Sequence, residues 1–87
     1  MAYQPIKCQV YDYIEIACMR HYTVEIVLLS GETLFGQAQT TRIYQNAEFL
    51  QIKTENTLEE IRLDKIFTIK PLDHKAEFNC VVINNRT

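Results

Sequence analysis

The segment from Tyr22 to Leu28 alternates in the way that a half-buried β-strand does, and this pattern constrains the fold more than any other. One face carries three aliphatic side chains and the other is mostly polar: Val24, Ile26 and Leu28 against Thr23, Glu25 and Val27. Ser30-Gly31-Glu32 follows at once and is typical of a tight turn. The chain therefore enters an antiparallel hairpin.

Short strands joined by short turns continue to about residue 70, so strands are predicted over about residues 22–70. After the first, the predicted strands are Thr33–Ile43, Phe49–Lys53, Leu58–Leu63 and Ile66–Lys70, with turns at Tyr44–Asn46 and Glu55–Thr57. Pro71 ends the fifth strand. Asn79–Ile83 is rich in β-forming residues and predicts a last strand within residues 78–84.

Such a run of antiparallel strands leaves unpaired edges unless the sheet curls. We therefore predict a mostly β fold, a small antiparallel barrel of five to six strands capped by one N-terminal helix. A strong bend is expected at Gly36, inside the second strand. The positions expected to be largely buried are Val24, Ile26, Leu28, Leu50, Ile52 and Ile61. The last strand should cover the free edge of the fifth and keep the protein monomeric.

The capping helix is predicted at about residues 8–20, where a period of 100° per residue separates two halves. One half is apolar and comprises Val10, Tyr11, Ile14, Ala17 and Cys18. The other carries Asp12, Glu15 and Met19, together with Cys8 and Ile16. Two acids one turn apart beside a thioether are either solvated surface or a place where a basic partner binds.

Composition bounds the remaining possibilities. The 87 residues fit one domain, 1–87, and the net charge is −2 with basic residues scattered singly, so direct nucleic-acid binding is not expected. Apolar runs such as Ile26–Leu29 are no longer than four residues, far too short to span a membrane, and we expect a cytoplasmic protein. The three cysteines, Cys8, Cys18 and Cys80, are expected to be free thiols.

Catalytic and metal-binding patterns do not emerge from the sequence. No glycine-rich phosphate loop and no Cys/His or Ser/His/Asp arrangement can be recognised, so we do not expect an enzyme. His21 and His74 have no second ligand at metal spacing. No cofactor is expected.

The strand region resembles the Sm-like fold. Gly31, Gly36 and the Tyr44-Gln45-Asn46 turn follow the order of the first Sm signature, and residues 61–66, IRLDKI, resemble the second. Leu63 stands where Sm proteins have a glycine that lets RNA reach the pocket. The runner-up interpretation is accordingly an Sm-like RNA-binding module that forms a ring.

The chain from residue 3 to residue 70 resembles more closely the Rho-binding antiterminator family (Rof). The matching positions are Tyr3-Gln4-Pro5-Ile6, Cys8, Tyr11-Asp12, Glu15, Ala17-Cys18, His21 and Arg62–Ile66. The resemblance implies a small cytoplasmic bacterial inhibitor that binds the hexameric termination factor Rho at its primary RNA-binding sites. It also implies contacts from the N-terminal helix and from the turn between the second and third strands.

Carried over by position, the resemblance nominates Tyr11, Asp12, Glu15 and Asn46 as Rho-binding residues, and Met19 lies one turn beyond Glu15. Alternatives stay open at several positions. Tyr11 lies at the border of the two helix halves and can belong to the core, and Asn46 is first a turn former. Arg62 and Asp64 are expected to form a structural pair, and His21 a packed or half-buried side chain.

Overall fold

The computed structural model describes residues 8–84, with side chains from residue 9, so the Tyr3–Ile6 motif and the Cys8 thiol lie outside the described part. The chain begins with helix α1, Cys8–Arg20, as predicted. His21 ends it with a positive φ of 53°, which lets the N–H groups of His21 and Tyr22 bond to the carbonyls of Cys18 and Ala17. This is a Schellman-type end in which histidine replaces the usual glycine.

Six strands follow the helix and form one antiparallel sheet. They are β1 (Thr23–Leu28), β2 (Thr33–Tyr44), β3 (Ala47–Lys53), β4 (Leu58–Arg62), β5 (Ile66–Pro71) and β6 (Val81–Val82), with a short 3-10 turn at Leu63–Lys65. Their order in the sheet is β4-β3-β2-β1-β5-β6. A helix with a mostly β, antiparallel fold is thus confirmed. The sheet is not closed by hydrogen bonds, because β4 and β6 stand at its two ends.

The core lies between the helix and the sheet. Among the six predicted core positions, Val24, Ile26, Leu50, Ile52 and Ile61 are buried. Leu28 is only half-buried, because it ends β1 where the pairing with β5 shifts register between Val27 and Leu28. From the helix, Ile14 and Ala17 complete the core, as the predicted apolar half requires.

Strand β6 is shorter than the predicted last strand but pairs where expected. Val81 and Val82 lie opposite Ile69 and Thr68 of β5. Beyond the strand, the side-chain amide of Asn84 donates to the carbonyls of Leu63 and Ile66 at 2.8 and 2.7 Å. The C-terminal segment is therefore held both by the β5 edge and by the 3-10 turn.

The two glycines differ in role. Gly31 lies in the β1–β2 turn, as predicted, with a φ of 98° that favours glycine. Gly36 was expected at a strong bend, but it sits in regular pairing opposite Val24, and the register shift of β2 falls later, between Ala38 and Thr40. At Gly36 a Cβ atom would lie 2.9 Å from Cδ1 of Ile52 and 3.1 Å from the carbonyl oxygen of Lys53. Glycine is needed there for close packing.

We expect Gly36→Ala to lower the free energy of unfolding by roughly 1–3 kcal/mol, since an added methyl group would overpack this contact. Urea denaturation measures the change. In an Ile52→Val background, which lacks Cδ1, the same substitution should cost less. An equal cost in both backgrounds would show that Ile52 does not set the limit.

Candidate functional site

The outer surface of helix α1 carries three of the predicted site residues. Asp12, Glu15 and Met19 are all exposed, and Met19 keeps 73% of its surface accessible. Neither carboxylate forms an ion pair with a basic side chain among residues 9–84. The two acids therefore face solvent with their charges uncompensated by direct contacts within that part of the chain.

Contacts on one flank fix the helix against β2. The Tyr11 hydroxyl donates a hydrogen bond to Oγ1 of Thr41 at 3.0 Å. At the other end of the helix, Nδ1 of His21 lies 3.0 Å from the carbonyl oxygen of Ala38, so this nitrogen must carry the proton. The helix runs antiparallel to β2, with its N-terminal turns toward the β2–β3 hairpin.

The segment between β5 and β6 holds the opposite flank. The Arg20 guanidinium pairs with Glu77 at 2.7 Å, and the Tyr13 ring lies 5.2 Å from the ring of Phe78. Phe78 is itself buried and also contacts Tyr22, whose hydroxyl accepts a hydrogen bond from the Glu77 amide. With both flanks attached, the acidic surface of the helix has a fixed orientation relative to the sheet.

Tyr11 is half-buried at the seam between helix and sheet. Its phenol pKa is raised, first because burial removes water from the ionised form, while the Thr41 hydrogen bond acts in the opposite sense. Glu48 adds to the rise in pKa by its negative charge and by a hydrogen bond with the phenol, and Glu15 adds to it by its charge. Tyr11 thus has a structural role, and Glu48 of β3 stands near it as a further acid that the sequence analysis did not select.

Asn46 lies at the tip of the β2–β3 hairpin and is exposed. It has a φ of 61°, next to Gln45 at 53°, and two successive positive φ angles define the turn that fits a tight hairpin. The turn-forming role is confirmed. A partner contact at Asn46 remains a prediction.

The described structure joins part of the predicted site into one surface. A shallow groove between helix and sheet is lined by Glu15, Cys18, Met19, His21, Gln39, Thr40 and Thr41. His21 borders it and is exposed, whereas a packed or half-buried side chain was expected, since the ring lies over the edge of β2 and not in the core. The sequence predicted where the helix ends, but without a glycine after Arg20 it did not indicate the positive φ of His21.

The Cys18 thiol faces the same groove. Burial, aided by the charge of Glu15, raises its pKa from 9.0 to about 11, so it stays protonated at neutral and mildly alkaline pH. We expect Cys18 to react with iodoacetamide at pH 8 at least about tenfold more slowly than exposed Cys80, after allowing for the greater nucleophilicity of a high-pKa thiolate. Single-cysteine variants followed by mass spectrometry test this. In denaturant the two rates should converge, and a fast Cys18 in the native protein would contradict the assignment.

The Arg62–Asp64 pair is structural, as predicted. The guanidinium donates two hydrogen bonds to the carboxylate, at 3.1 and 2.8 Å. Leu63 between them is fully buried. The Sm signature has a glycine at this position. Here the position is occupied by Leu63, whose side chain belongs to the core.

Metal and membrane sites were sought in the same part of the chain. Within residues 8–84 no group of three or more histidine, cysteine and acidic side chains comes together at metal-binding distances. None of the helical residues that the structure describes forms a segment long and apolar enough to cross a bilayer.

Comparison with known proteins agrees with the sequence resemblance. The family model described as "Modulator of Rho-dependent transcription termination (ROF)" matches residues 5–83. The chain is 39% identical over 64 residues to Protein rof of Escherichia coli strain K12 and to that of Shigella flexneri, covering 74% of this chain and 76% of each relative.

A solved structure shows the same fold. YaeO of Vibrio cholerae O395, determined bound to magnesium, superposes with a TM-score of 0.78 at 29% identity, over 85% of this chain and 97% of that chain. On the family model, the relatives and the shared fold, this chain belongs to the Rof family of modulators of Rho-dependent transcription termination.

Proposed function

We propose that this protein inhibits termination by binding Rho at its primary RNA-binding sites, so that RNA cannot load. Family membership supports Rho as the partner. The observation that carries the binding mode is the pair of exposed carboxylates, Asp12 and Glu15, on one surface of helix α1. An RNA-binding surface attracts phosphates with basic groups, and two carboxylates one helical turn apart can engage the same groups.

The electrostatics of the chain favour such a competitor. A protein with a net charge of −2 is repelled by RNA and attracted to a basic surface. It should therefore compete with RNA for Rho and should not bind the RNA itself. Carboxylates that become desolvated against Arg or Lys form charge-assisted hydrogen bonds, which are stronger than exposed ion pairs. Met19 adds an adaptable apolar contact at the end of the same surface.

Rigidity of the helix supports tight binding. Tyr11 attaches it to β2, and Arg20 with Tyr13 attaches it to the segment around Phe78. A surface that is already ordered loses less conformational entropy when it binds. Tyr11 therefore contributes to binding by holding the helix in place. Asn46 contributes by shaping the turn at the tip of the β2–β3 hairpin.

We propose further that the free protein is a monomer. A ring of Sm-like subunits joins the β4 edge of one copy to the β5 edge of the next, but here β6 already pairs with β5. The ring-forming RNA-binding alternative requires that edge to be free. The described strand order thus favours the Rho-binding interpretation.

Competition for Rho is the direct test. Fluorescence anisotropy of labelled polycytidine RNA on purified Rho should fall as the protein is added, and the required concentration should rise in proportion to the RNA present. The protein without Rho should leave the anisotropy unchanged. Inhibition of termination with no displacement of RNA would contradict this mode, and salt-dependent binding of RNA to the protein itself would favour the alternative.

A further inference from the structure

An exposed isoleucine interrupts the polar surface beside the helix. Ile43, in β2, keeps 70% of its surface accessible, although it lies only two residues from Thr41, the partner of the Tyr11 hydroxyl. Large aliphatic side chains that remain open on a small protein are common singly, so exposure by itself decides nothing. The case for a binding role at Ile43 comes from its neighbours on the same face of the sheet.

The strand register places Ile43 on the helix side of the sheet. Thr41 lies opposite Leu50, and Ile43 lies opposite Glu48. Because side chains two residues apart on a strand share a face, Ile43 and Glu48 lie on the same face as Thr41 and as the buried Leu50. Tyr11 contacts this face at Thr41. Between Thr41 and the hairpin tip the same face is exposed to solvent at Ile43.

A carboxylate lies next to this apolar position. Glu48 is its cross-strand neighbour, and the charges of Glu48 and Glu15 both act on the Tyr11 phenol beside it. Asn46 follows at the tip of the same hairpin. Glu15, Tyr11 and the hairpin thus lie on the same side of the sheet, and there the apolar side chain of Ile43 stands opposite the carboxylate of Glu48.

We propose that Ile43 is the apolar anchor of the Rho-binding surface and that Glu48 is its third carboxylate. The inference rests on the proposed function and adds to it two residues from the strands of the β2–β3 hairpin, beside the turn residue Asn46 that the resemblance already nominates. The partner surface that fits is an apolar or aromatic pocket bordered by basic groups. Desolvation of a central apolar side chain within a polar rim is the arrangement that concentrates binding energy in protein interfaces.

Two substitutions test the anchor and the acid separately. Ile43→Ser should weaken binding to purified Rho at least about tenfold, and Ile43→Leu should restore most of it, because an aliphatic side chain of similar volume remains. Glu48→Gln should weaken binding several-fold, and the difference from the parent should shrink as salt rises. Calorimetry or anisotropy competition gives each dissociation constant.

Leu58→Ser is the matched control for Ile43→Ser. Leu58 is 59% exposed on β4, away from the helix, so its loss removes comparable surface and should change binding less than twofold. Thermal unfolding should show that Ile43→Ser leaves the fold intact, as expected for a side chain that projects into solvent. Hydrogen exchange adds an independent readout, since amides 41–48 should become more protected when Rho binds.

The outcomes separate this inference from the function on which it rests. If the parent protein does not bind Rho, the proposed function fails. If the parent binds and reversal of the helix acids abolishes binding, but Ile43→Ser and Glu48→Gln bind as the parent does, the function stands and the hairpin extension is wrong. Equal losses for Ile43→Ser and Leu58→Ser would likewise overturn the assignment of an anchor.

Discussion

Reversing both helix carboxylates, Asp12→Lys with Glu15→Lys, is expected to abolish binding to Rho and with it the inhibition of termination. A hydrogen bond to a charged group contributes on the order of 1.5–3 kcal/mol when it is desolvated, so losing two should weaken binding by more than about 100-fold. The lysines would add repulsion from a basic partner. The fold should survive, because both side chains are exposed and neither points into the core.

A variant with the same change in net charge provides the control. Glu55 lies in the β3–β4 turn and Glu59 on β4, and both are exposed. Both double reversals take the net charge from −2 to +2, so both lose the same long-range attraction to a basic partner. The control keeps the helix contacts, so its antitermination should stay far closer to that of the parent than the helix variant's. Rho-dependent termination in a purified transcription assay compares the three proteins. Inhibition by the helix variant equal to that of the parent would place the binding site elsewhere on the molecule.

Removing residues 80–87 should lower the free energy of unfolding and increase self-association. The deletion takes away the β6 pairing with β5, the buried side chain of Ile83 and the two amide hydrogen bonds of Asn84. Loss of the Ile83 side chain and its contacts costs roughly 2–4 kcal/mol by itself. The exposed β5 edge then offers unpaired N–H and C=O groups to the β4 edge of another copy.

Light scattering over a range of protein concentrations measures the association, and urea denaturation measures the stability. A shorter chain that stays monomeric and as stable as the parent would show that β6 neither protects the edge nor supports the fold. Asn84→Ala isolates the amide contribution and should cost about 1–3 kcal/mol.

Periodic features of the sequence were sufficient to predict the elements. The helix at Cys8–Arg20 and the exposure of Asp12 and Glu15 follow from a single turn-by-turn pattern, which needs no knowledge of the rest of the molecule. The strands after Tyr22 were likewise predicted to within about two residues, apart from the shortened β6. Local pattern and tertiary structure agree in these segments.

Features that depend on contacts between elements could not be predicted in this way. The strand register shifts near Gln39, where the sequence has no glycine or proline that would indicate an irregularity. The glycine that does occur in this strand, Gly36, is needed instead for close packing against Ile52. His21 ends the helix in a conformation for which glycine is the usual signal. Glu48 and Ile43 come near the helix only because the helix packs against β2. The sequence does not show which strand the helix packs against.

The attachment of the helix to Glu77 and Phe78 has a consequence for synthesis of the protein. A helix of 13 residues is marginal in water without tertiary contacts, and here one stabilising partner, Glu77, lies 57 positions after Arg20. The ribosome therefore releases helix α1 well before Glu77 and Phe78, and the helix cannot be held in place until these two residues have been synthesised. A product that stops before Glu77 would carry the acidic residues without the rigid surface that presents them, so the proposed inhibition of Rho would require synthesis to pass Phe78.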